Sequence, residues 1–167
     1  MKYNPQNHHR RSIRLKGYDY SLPGEYYITM VTQNRENLFG DIIDDKVVLS
    51  EAGEMVQKTW KILASRFQNI RLDESIIMPN HFHSIIMIIE KTFASIGDIV
   101  GTFKSITTHE YIVGVKNSGW PPFDTRLWQR NYWERIIRNE KELDRIREYI
   151  RNNPIKWQSD AENPNAA

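Results

Sequence analysis

Cysteine is absent from this 167-residue chain, and so is any long apolar run. The lack of cysteine excludes disulfide frameworks, zinc ribbons and thiol nucleophiles. It is also consistent with a reducing cytoplasm, where we predict that the protein acts. No apolar run approaches the roughly 20 residues of a membrane-spanning helix, and the polar N-terminus lacks the apolar core of a signal peptide. We therefore predict a soluble, unexported protein with no membrane partner.

Neither an internal repeat nor a low-complexity linker divides the chain. Its length of 167 residues is typical of one domain with a real core. We predict a single domain over residues 1–167, with a basic N-terminal arm at residues 1–17 and a short polar tail at residues 158–167.

Positive charge is in slight excess, with a formal net charge of +2, but it is unevenly distributed. The basic residues that precede the first acidic residue, Asp19, are Lys2, Arg10, Arg11, Arg14 and Lys16. A second basic set in the last third alternates with aromatic residues. Cations that follow phosphates and rings that stack on bases suit a single-stranded nucleic acid. The alternative is a solvated face over core aromatics, because acidic residues offset much of the second set.

Apolar periodicity predicts an α+β fold. Strands are predicted at residues 25–34, 70–79, 81–90 and 126–137, a hairpin turn at 44–46, and helices at 50–67 and 95–113. A last helix is predicted after Asn139, with Glu142 completing a capping box and Pro154 ending the helix. The order of these elements predicts an antiparallel sheet with helices packed on one face.

Two histidines, His81 and His83, stand at the start of an otherwise apolar strand, "HFHSIIMIIE". Residues i and i+2 of a strand point to the same side of the sheet, so the two imidazoles project together while Phe82 points the other way. Such a pair can chelate one divalent cation. The alternative is a pair of satisfied core histidines.

The last predicted helix brings a phenol and an amide together. Tyr149 and Asn153 are four residues apart and so share a helical face. The phenol is a candidate nucleophile beside a metal, and the amide oxygen is a candidate third ligand. Because a residue before proline is pushed out of helical geometry, Asn152 remains an alternative to Asn153. Tyr149 could also be an ordinary core tyrosine.

Four stretches together resemble one known family. These are "RRSIRLKGYDY", "IIMPNHFHSIIMI", "VGTFKS" and "WQRNYWERIIRNEKELDRIREYIRNNPIKW". They are similar to the REP-associated tyrosine transposases, a branch of the HUH single-strand nucleases and transposases, and the similarity runs from about Arg10 to Trp157. The resemblance implies a ferredoxin-like antiparallel sheet with helices packed on it. It also implies that His81, His83 and Asn153 bind Mg²⁺ or Mn²⁺, and that Tyr149 is the nucleophile.

The reaction implied by the resemblance is cleavage and rejoining of single-stranded DNA. Tyr149 attacks a phosphodiester, leaving a 5′-phosphotyrosine and a free 3′-hydroxyl, and an incoming 3′-hydroxyl reverses the step. The implied substrates are hairpins formed by repetitive palindromic sequences. Because a histidine must be neutral to bind a metal, activity is predicted to fall below about pH 6.5.

Several residues are predicted to contact the DNA. The predicted phosphate partners are Arg14, Lys104, Arg130 and Arg138, and the predicted base-stacking residues are Trp133 and Trp157. Each of them could instead be an ordinary surface charge or a core tryptophan.

Two other functions are open at this point. One is a non-catalytic single-stranded nucleic-acid-binding module, which would form no covalent adduct. The other is a zinc hydrolase with a water nucleophile, which would keep its activity when Tyr149 is replaced by Phe. Monomer and homodimer are both open, and in a dimer the tyrosine could serve the partner's metal site.

Overall fold

Six strands and three α-helices occur in the described part of the chain, residues 17–91 and 94–166 of this computed structural model. The strands are β1 (Gly24–Val31), β2 (Gly40–Ile43), β3 (Lys46–Leu49), β4 (Ile70–Ile77), β5 (His81–Ile88) and β6 (Trp133–Ile137). The helices are α1 (Glu51–Arg66), α2 (Ile96–Ser118) and α3 (Glu140–Arg151), with short 3-10 helices at Gln33–Arg35 and Pro154–Ser159. Most of the predicted basic arm, residues 1–16, lies outside the described residues.

The main sheet is antiparallel with the strand order β4-β5-β1-β6, while β2 and β3 form a separate hairpin. With the hairpin set aside, the order along the chain is βαββαβ, which is the ferredoxin-like arrangement. The predicted fold class is therefore confirmed. Helices α1 and α2 cross over the same face, where Ile28, Phe82 and Phe103 belong to the larger buried core.

Helix α3 packs on the opposite face of the sheet, so the prediction that all helices share one face is wrong. Its core is formed by Ile85 and Ile137 from the sheet and Leu143, Ile146 and Ile150 from the helix. Strand β5 is buried on both faces along nearly its whole length. A strand covered on both sides has no polar–apolar alternation to show which helix covers which face.

The strand predicted at 126–137 is regular only from Trp133 onward. Before it, Trp128 makes one isolated bridge to Thr32. In the next stretch, which is outside the strand pairing, Lys104 Nζ on α2 donates to the carbonyl oxygens of Gln129 at 2.8 Å and Asn131 at 3.2 Å. A lysine distant in sequence thus satisfies backbone oxygens that precede β6.

The ends of the helices follow local capping chemistry. Ser50 caps α1 and Ser95 caps α2 in a complete capping box, and α2 continues past its predicted end to Gly119, which takes φ +69°. Asn139 caps α3 as predicted. The Glu142 carboxylate, however, accepts from Arg138 N at 3.0 Å instead of closing a capping box. None of the described helices is long and apolar enough to cross a membrane.

Candidate active site

The two histidines lie on the α3 face of the sheet, at the start of β5. His81 pairs with Val31 and His83 with Thr29 on β1. The imidazole rings are 4.6 Å apart between centroids, and both side chains are buried, with exposed fractions of 0% and 3%. The predicted same-face pair is thus present. Burial lowers the pKa of both histidines, and for His83 the neighbouring His81 lowers it further.

Asn80 determines which ring nitrogen of His81 carries a hydrogen. Its amide nitrogen donates to the backbone oxygens of Arg35 at 3.0 Å and Glu162 at 2.7 Å. The amide oxygen is thereby fixed toward His81 Nδ1, at 2.9 Å. Both ring nitrogens of His81 face amide oxygens that can only accept, Asn80 Oδ1 at 2.9 Å and Asn153 Oδ1 at 3.2 Å. The neutral ring has one hydrogen, and the shorter contact places it on Nδ1, so Nε2 turns its lone pair toward Asn153.

The imidazole of His83 also carries its hydrogen on Nδ1. Its Nδ1 lies 2.7 Å from the Tyr27 hydroxyl and 2.8 Å from the Thr29 hydroxyl. Its Nε2 is buried and has no hydrogen-bond partner. An unpaired lone pair there costs less than an unpaired N–H, so the hydrogen belongs on Nδ1.

Asn153 completes a set of three electron-pair donors. Despite preceding Pro154, it keeps helical angles of φ −60° and ψ −40°, and its side chain is fully buried. Its amide oxygen lies 3.2 Å from His81 Nε2, and its amide nitrogen is 3.4 Å from the Asp160 carboxylate. Asn152 caps α3, so Asn153 is the asparagine that meets the histidines.

These three donors fit a divalent cation. Two neutral imidazole nitrogens and an amide oxygen face one another without hydrogens between them, and the second nitrogen of each ring is held by a hydrogen bond, as in metal-binding histidines. No group of three or more His, Asp or Glu side chains within residues 17–91 and 94–166 could hold a metal ion. The amide oxygen of Asn153, next to His81 Nε2, is the candidate third donor.

Tyr149 lies beside the histidines on the same chain. Its ring centroid is 5.5 Å from that of His83 and 6.4 Å from that of Tyr27. The side chain is 40% exposed, so a substrate can reach it. Burial, followed by the negative charge of Asp160, raises the pKa of Tyr149, while a hydrogen bond with Asn153 opposes this rise.

A β-bulge attaches the tyrosine-bearing helix to the sheet. The register between β4 and β5 shifts between Leu72 and Ser75, and the intervening acidic residues both reach α3. Arg147 donates to the two carboxylate oxygens of Asp73 at 3.0 and 2.6 Å, and Arg151 pairs with Glu74. A regular strand would point neighbouring side chains to opposite faces, so the bulge allows both ion pairs.

The segment after α3 forms one wall of a cleft of about 400 Å³ in front of Tyr149. It contributes Lys156, Asp160 and Glu162 to the cleft, and Arg35 binds the Glu162 carboxylate at 2.8 Å. Part of the predicted polar tail therefore shapes the site. Trp157, predicted to stack on bases, is buried at 7% exposure with its ring 5.9 Å from that of His81.

Three of the four predicted phosphate partners lie in the described part of the chain, and these three are dispersed. Arg14 lies outside the described residues. Arg130 and Arg138 are exposed, and Arg138 lines a separate cleft of about 910 Å³ that contains neither histidine nor Tyr149. Lys104 is the least accessible, since its ammonium binds two carbonyl oxygens and burial lowers its pKa to about 8. Phosphate contacts by these residues stay predictions.

Sequence reasoning missed the roles of several residues that shape this site, among them Tyr27, Thr29, Asn80 and Asp160. Tyr27 and Thr29 occupy alternate positions of a predicted strand, which was a usable signal for a shared face. Asn80 directly precedes His81. Asp160 had no sequence signal, because only the turn after Pro154 returns it to Asn153.

Comparison with known proteins identifies the family. A family model described as "Transposase IS200 like" matches residues 23–153. An uncharacterized protein of Haemophilus influenzae Rd is 44% identical over 179 residues, covering 95% of this chain and 96% of that protein.

Two solved structures share the fold. A REP-associated tyrosine transposase bound to a REP hairpin matches with a TM-score of 0.62 and 20% identity, over 86% of this chain and 74% of that chain. A candidate transposase from Deinococcus radiodurans R1 matches with a TM-score of 0.51 and 19% identity, over 84% of this chain and 97% of that chain. The resemblance predicted from the motifs is confirmed, and the chain belongs to the IS200-like transposase family.

Proposed function

We propose that this transposase cleaves and rejoins single-stranded DNA in a divalent-metal-dependent reaction with Tyr149 as nucleophile. The observation that carries the proposal is the convergence of His81 Nε2, the unpartnered His83 Nε2 and Asn153 Oδ1 beside an accessible tyrosine. A pure binding module has no need of a buried, unpartnered imidazole nitrogen, which is costly to maintain.

The proposed reaction transfers the DNA phosphate from a 3′ oxygen to the oxygen of Tyr149. The Tyr149 oxygen forms a bond to phosphorus as the bond from phosphorus to the 3′ oxygen breaks. The phenol loses a proton, the 3′ oxygen gains one, and the products are a 5′-phosphotyrosine and a 3′-hydroxyl. The phosphodiester is retained in the covalent link, so attack by an incoming 3′-hydroxyl rejoins strands without a nucleotide cofactor.

The electrostatics of the cleft support a cation requirement. Asp160 and Glu162 face the cleft, and both disfavour the Tyr149 phenolate. Asp160 and Glu162 would also repel a DNA phosphate, whereas Lys156 in the same cleft would attract it. A bound Mg²⁺ or Mn²⁺ would supply positive charge for the phosphate oxygens and the leaving oxygen. His81, His83 and Asn153 are the residues that would hold it.

We infer that the substrate class is hairpin-forming, repetitive palindromic DNA. The support is the shared fold with a REP-associated tyrosine transposase bound to a REP hairpin. The motifs quoted from the sequence favour the same branch of the family.

The test is detection of a covalent protein–DNA product on a denaturing gel. Hairpin strands from repeats flanking the gene are labelled at the 5′ or the 3′ end and incubated with Mn²⁺. We expect an adduct on the fragment 3′ of the cut for the wild-type protein, and loss of this adduct with retained binding for Tyr149→Phe. Tyr18→Phe is the matched control, because Tyr18 belongs to the core on the opposite face.

Each other result identifies a different function. Cleavage by Tyr149→Phe without an adduct would indicate a hydrolase that uses water. Binding of these strands by the wild-type protein with no cleavage in either Mg²⁺ or Mn²⁺ would indicate a binding module.

A further inference from the structure

Trp133 is an unusually exposed tryptophan next to the proposed catalytic tyrosine. It is 59% exposed, whereas Trp60, Trp128 and Trp157 are buried at 2%, 4% and 7%. Exposing so large an apolar ring to water is unfavourable, and tryptophan is highly buried on average. Its exposure leaves the ring accessible to a ligand.

The position of Trp133 places its ring on the reactive face of the sheet. It pairs with Thr29 on β1, and Thr29 in turn pairs with His83 on β5. Directly paired residues on neighbouring strands project to the same face. Trp133 accordingly lines the same cleft as Tyr149 and Asn153.

The backbone that leads to Trp133 is held in place before any ligand binds. Lys104 donates to the carbonyl oxygens of Gln129 and Asn131, and Gln129 N donates to Val31 O at 2.9 Å. The contacts of Lys104 therefore help to order the backbone that precedes Trp133. A rigid aromatic ring on a pre-ordered strand loses little entropy on binding.

We propose that Trp133 stacks on a nucleobase of the single-stranded DNA next to the phosphate attacked by Tyr149. The inference rests on the proposed function for its substrate class. A base is the fitting occupant because each base has a flat π-face and is tied to a phosphate, and exposed Lys156 lines the same cleft to meet that phosphate. Stacking there would orient the strand for attack.

The experiment measures binding apart from chemistry. All proteins carry Tyr149→Phe so that strands stay intact, and binding of fluorescein-labelled oligothymidylate is followed by anisotropy in Mn²⁺. We expect Trp133→Ala to weaken binding about 5- to 150-fold, the range for loss of one stacked base, and Trp133→Tyr to recover most of the affinity. Ile62→Ala is the control, because Ile62 is similarly exposed at 56% but lies on α1.

Three results would overturn the inference: no binding by the parent protein, equal affinity for Trp133→Ala, or equal losses for the Ala and Tyr variants. Circular dichroism of each variant excludes loss of folding as the cause of weaker binding. Failure of the proposed function is separate from these results. It would appear as a missing adduct with Tyr149 intact, whatever the affinities of the Trp133 variants.

Discussion

Asn80 acts through His81, and its replacement should affect both stability and metal binding. Asn80→Ala removes the partners of two backbone carbonyls and of His81 Nδ1 in a fully buried site. We expect the free energy of unfolding to fall by about 2–4 kcal/mol and the Mn²⁺ affinity to fall roughly 10- to 100-fold. Urea denaturation and calorimetric Mn²⁺ titration measure the two effects.

Asn165→Ala is the control for Asn80, because its side chain is exposed near the C-terminus. It should change stability by less than about 0.5 kcal/mol. Unchanged Mn²⁺ affinity in Asn80→Ala would show that Asn80 supports the fold alone.

The buried histidines should make the protein less stable in mild acid. Their pKa values are lowered in the folded chain, so near pH 6.5 these histidines are protonated in the unfolded chain but remain neutral in the folded chain. Protonation therefore favours the unfolded chain as the pH falls. Their contribution to stability is therefore complete above pH 6.5 and is lost as the pH falls toward their folded-state pKa values. The same shift means that metal binding should fail at a lower pH than the value of about 6.5 predicted from an ordinary histidine.

Urea denaturation of the metal-free protein between pH 7.5 and pH 5 checks this expectation. We expect a declining free energy of unfolding, with a slope of up to about 1.4 kcal/mol per pH unit for each histidine. His83→Gln should reduce the slope, and replacement of exposed His109 by Gln should not. A free energy that stays constant over this range would contradict the prediction.

Two of the three glycines in helix α2, Gly101 and Gly114, should respond oppositely to alanine. A Cβ at Gly114 would lie 2.2 Å from the Trp120 ring, whereas a Cβ at Gly101 would meet nothing within 4 Å. Gly114→Ala must displace a ring that donates to Glu51 on α1 at 2.8 Å. We expect it to destabilise by about 1–3 kcal/mol, and Gly101→Ala to stabilise by about 0.5–1 kcal/mol.

Thermal and urea denaturation of the two variants compare the same substitution in one helix. Equal effects would mean that helix propensity, and not the packing of Trp120, controls both positions. The comparison therefore isolates the contact that fastens the end of α2 to α1.

Residues 17–91 and 94–166 of one chain supply His81, His83, Asn153 and Tyr149 to the proposed site, so we expect the site to act in cis. Helix α3 is held on its own sheet by the Arg147–Asp73 and Arg151–Glu74 ion pairs and by an apolar core. A mixture of Tyr149→Phe and His83→Ala proteins should thus form no adduct in the denaturing-gel assay, because Tyr149 is on α3 and His83 is on β5. Wild-type protein at half the total concentration is the positive control. Adduct formation by the mixture would show that α3 is exchanged between two chains.

Local sequence is sufficient to predict most of the elements and the faces on which the proposed site residues lie, because the causes of their placement are local. Alternation on a strand places His81 and His83 on one face. The capping residue Asn139 and the following Pro154 delimit the helix that carries Tyr149. Those rules act over a few residues, and the structure bears them out. The motif resemblance then assigned roles that spacing left open, including the choice of Asn153 over Asn152.

Only the tertiary structure decided which groups meet across the fold. Three features join residues that are distant in sequence. Helix α3 packs on the face opposite α1 and α2, Lys104 donates to backbone oxygens before β6, and Asp160 contacts Asn153. No local pattern encodes such pairs, because they depend on chain topology and on which buried polar atoms still need partners. The tautomer of His81 has the same origin: Asn80 sits beside it in sequence, but carbonyls from two distant segments fix the direction of its amide.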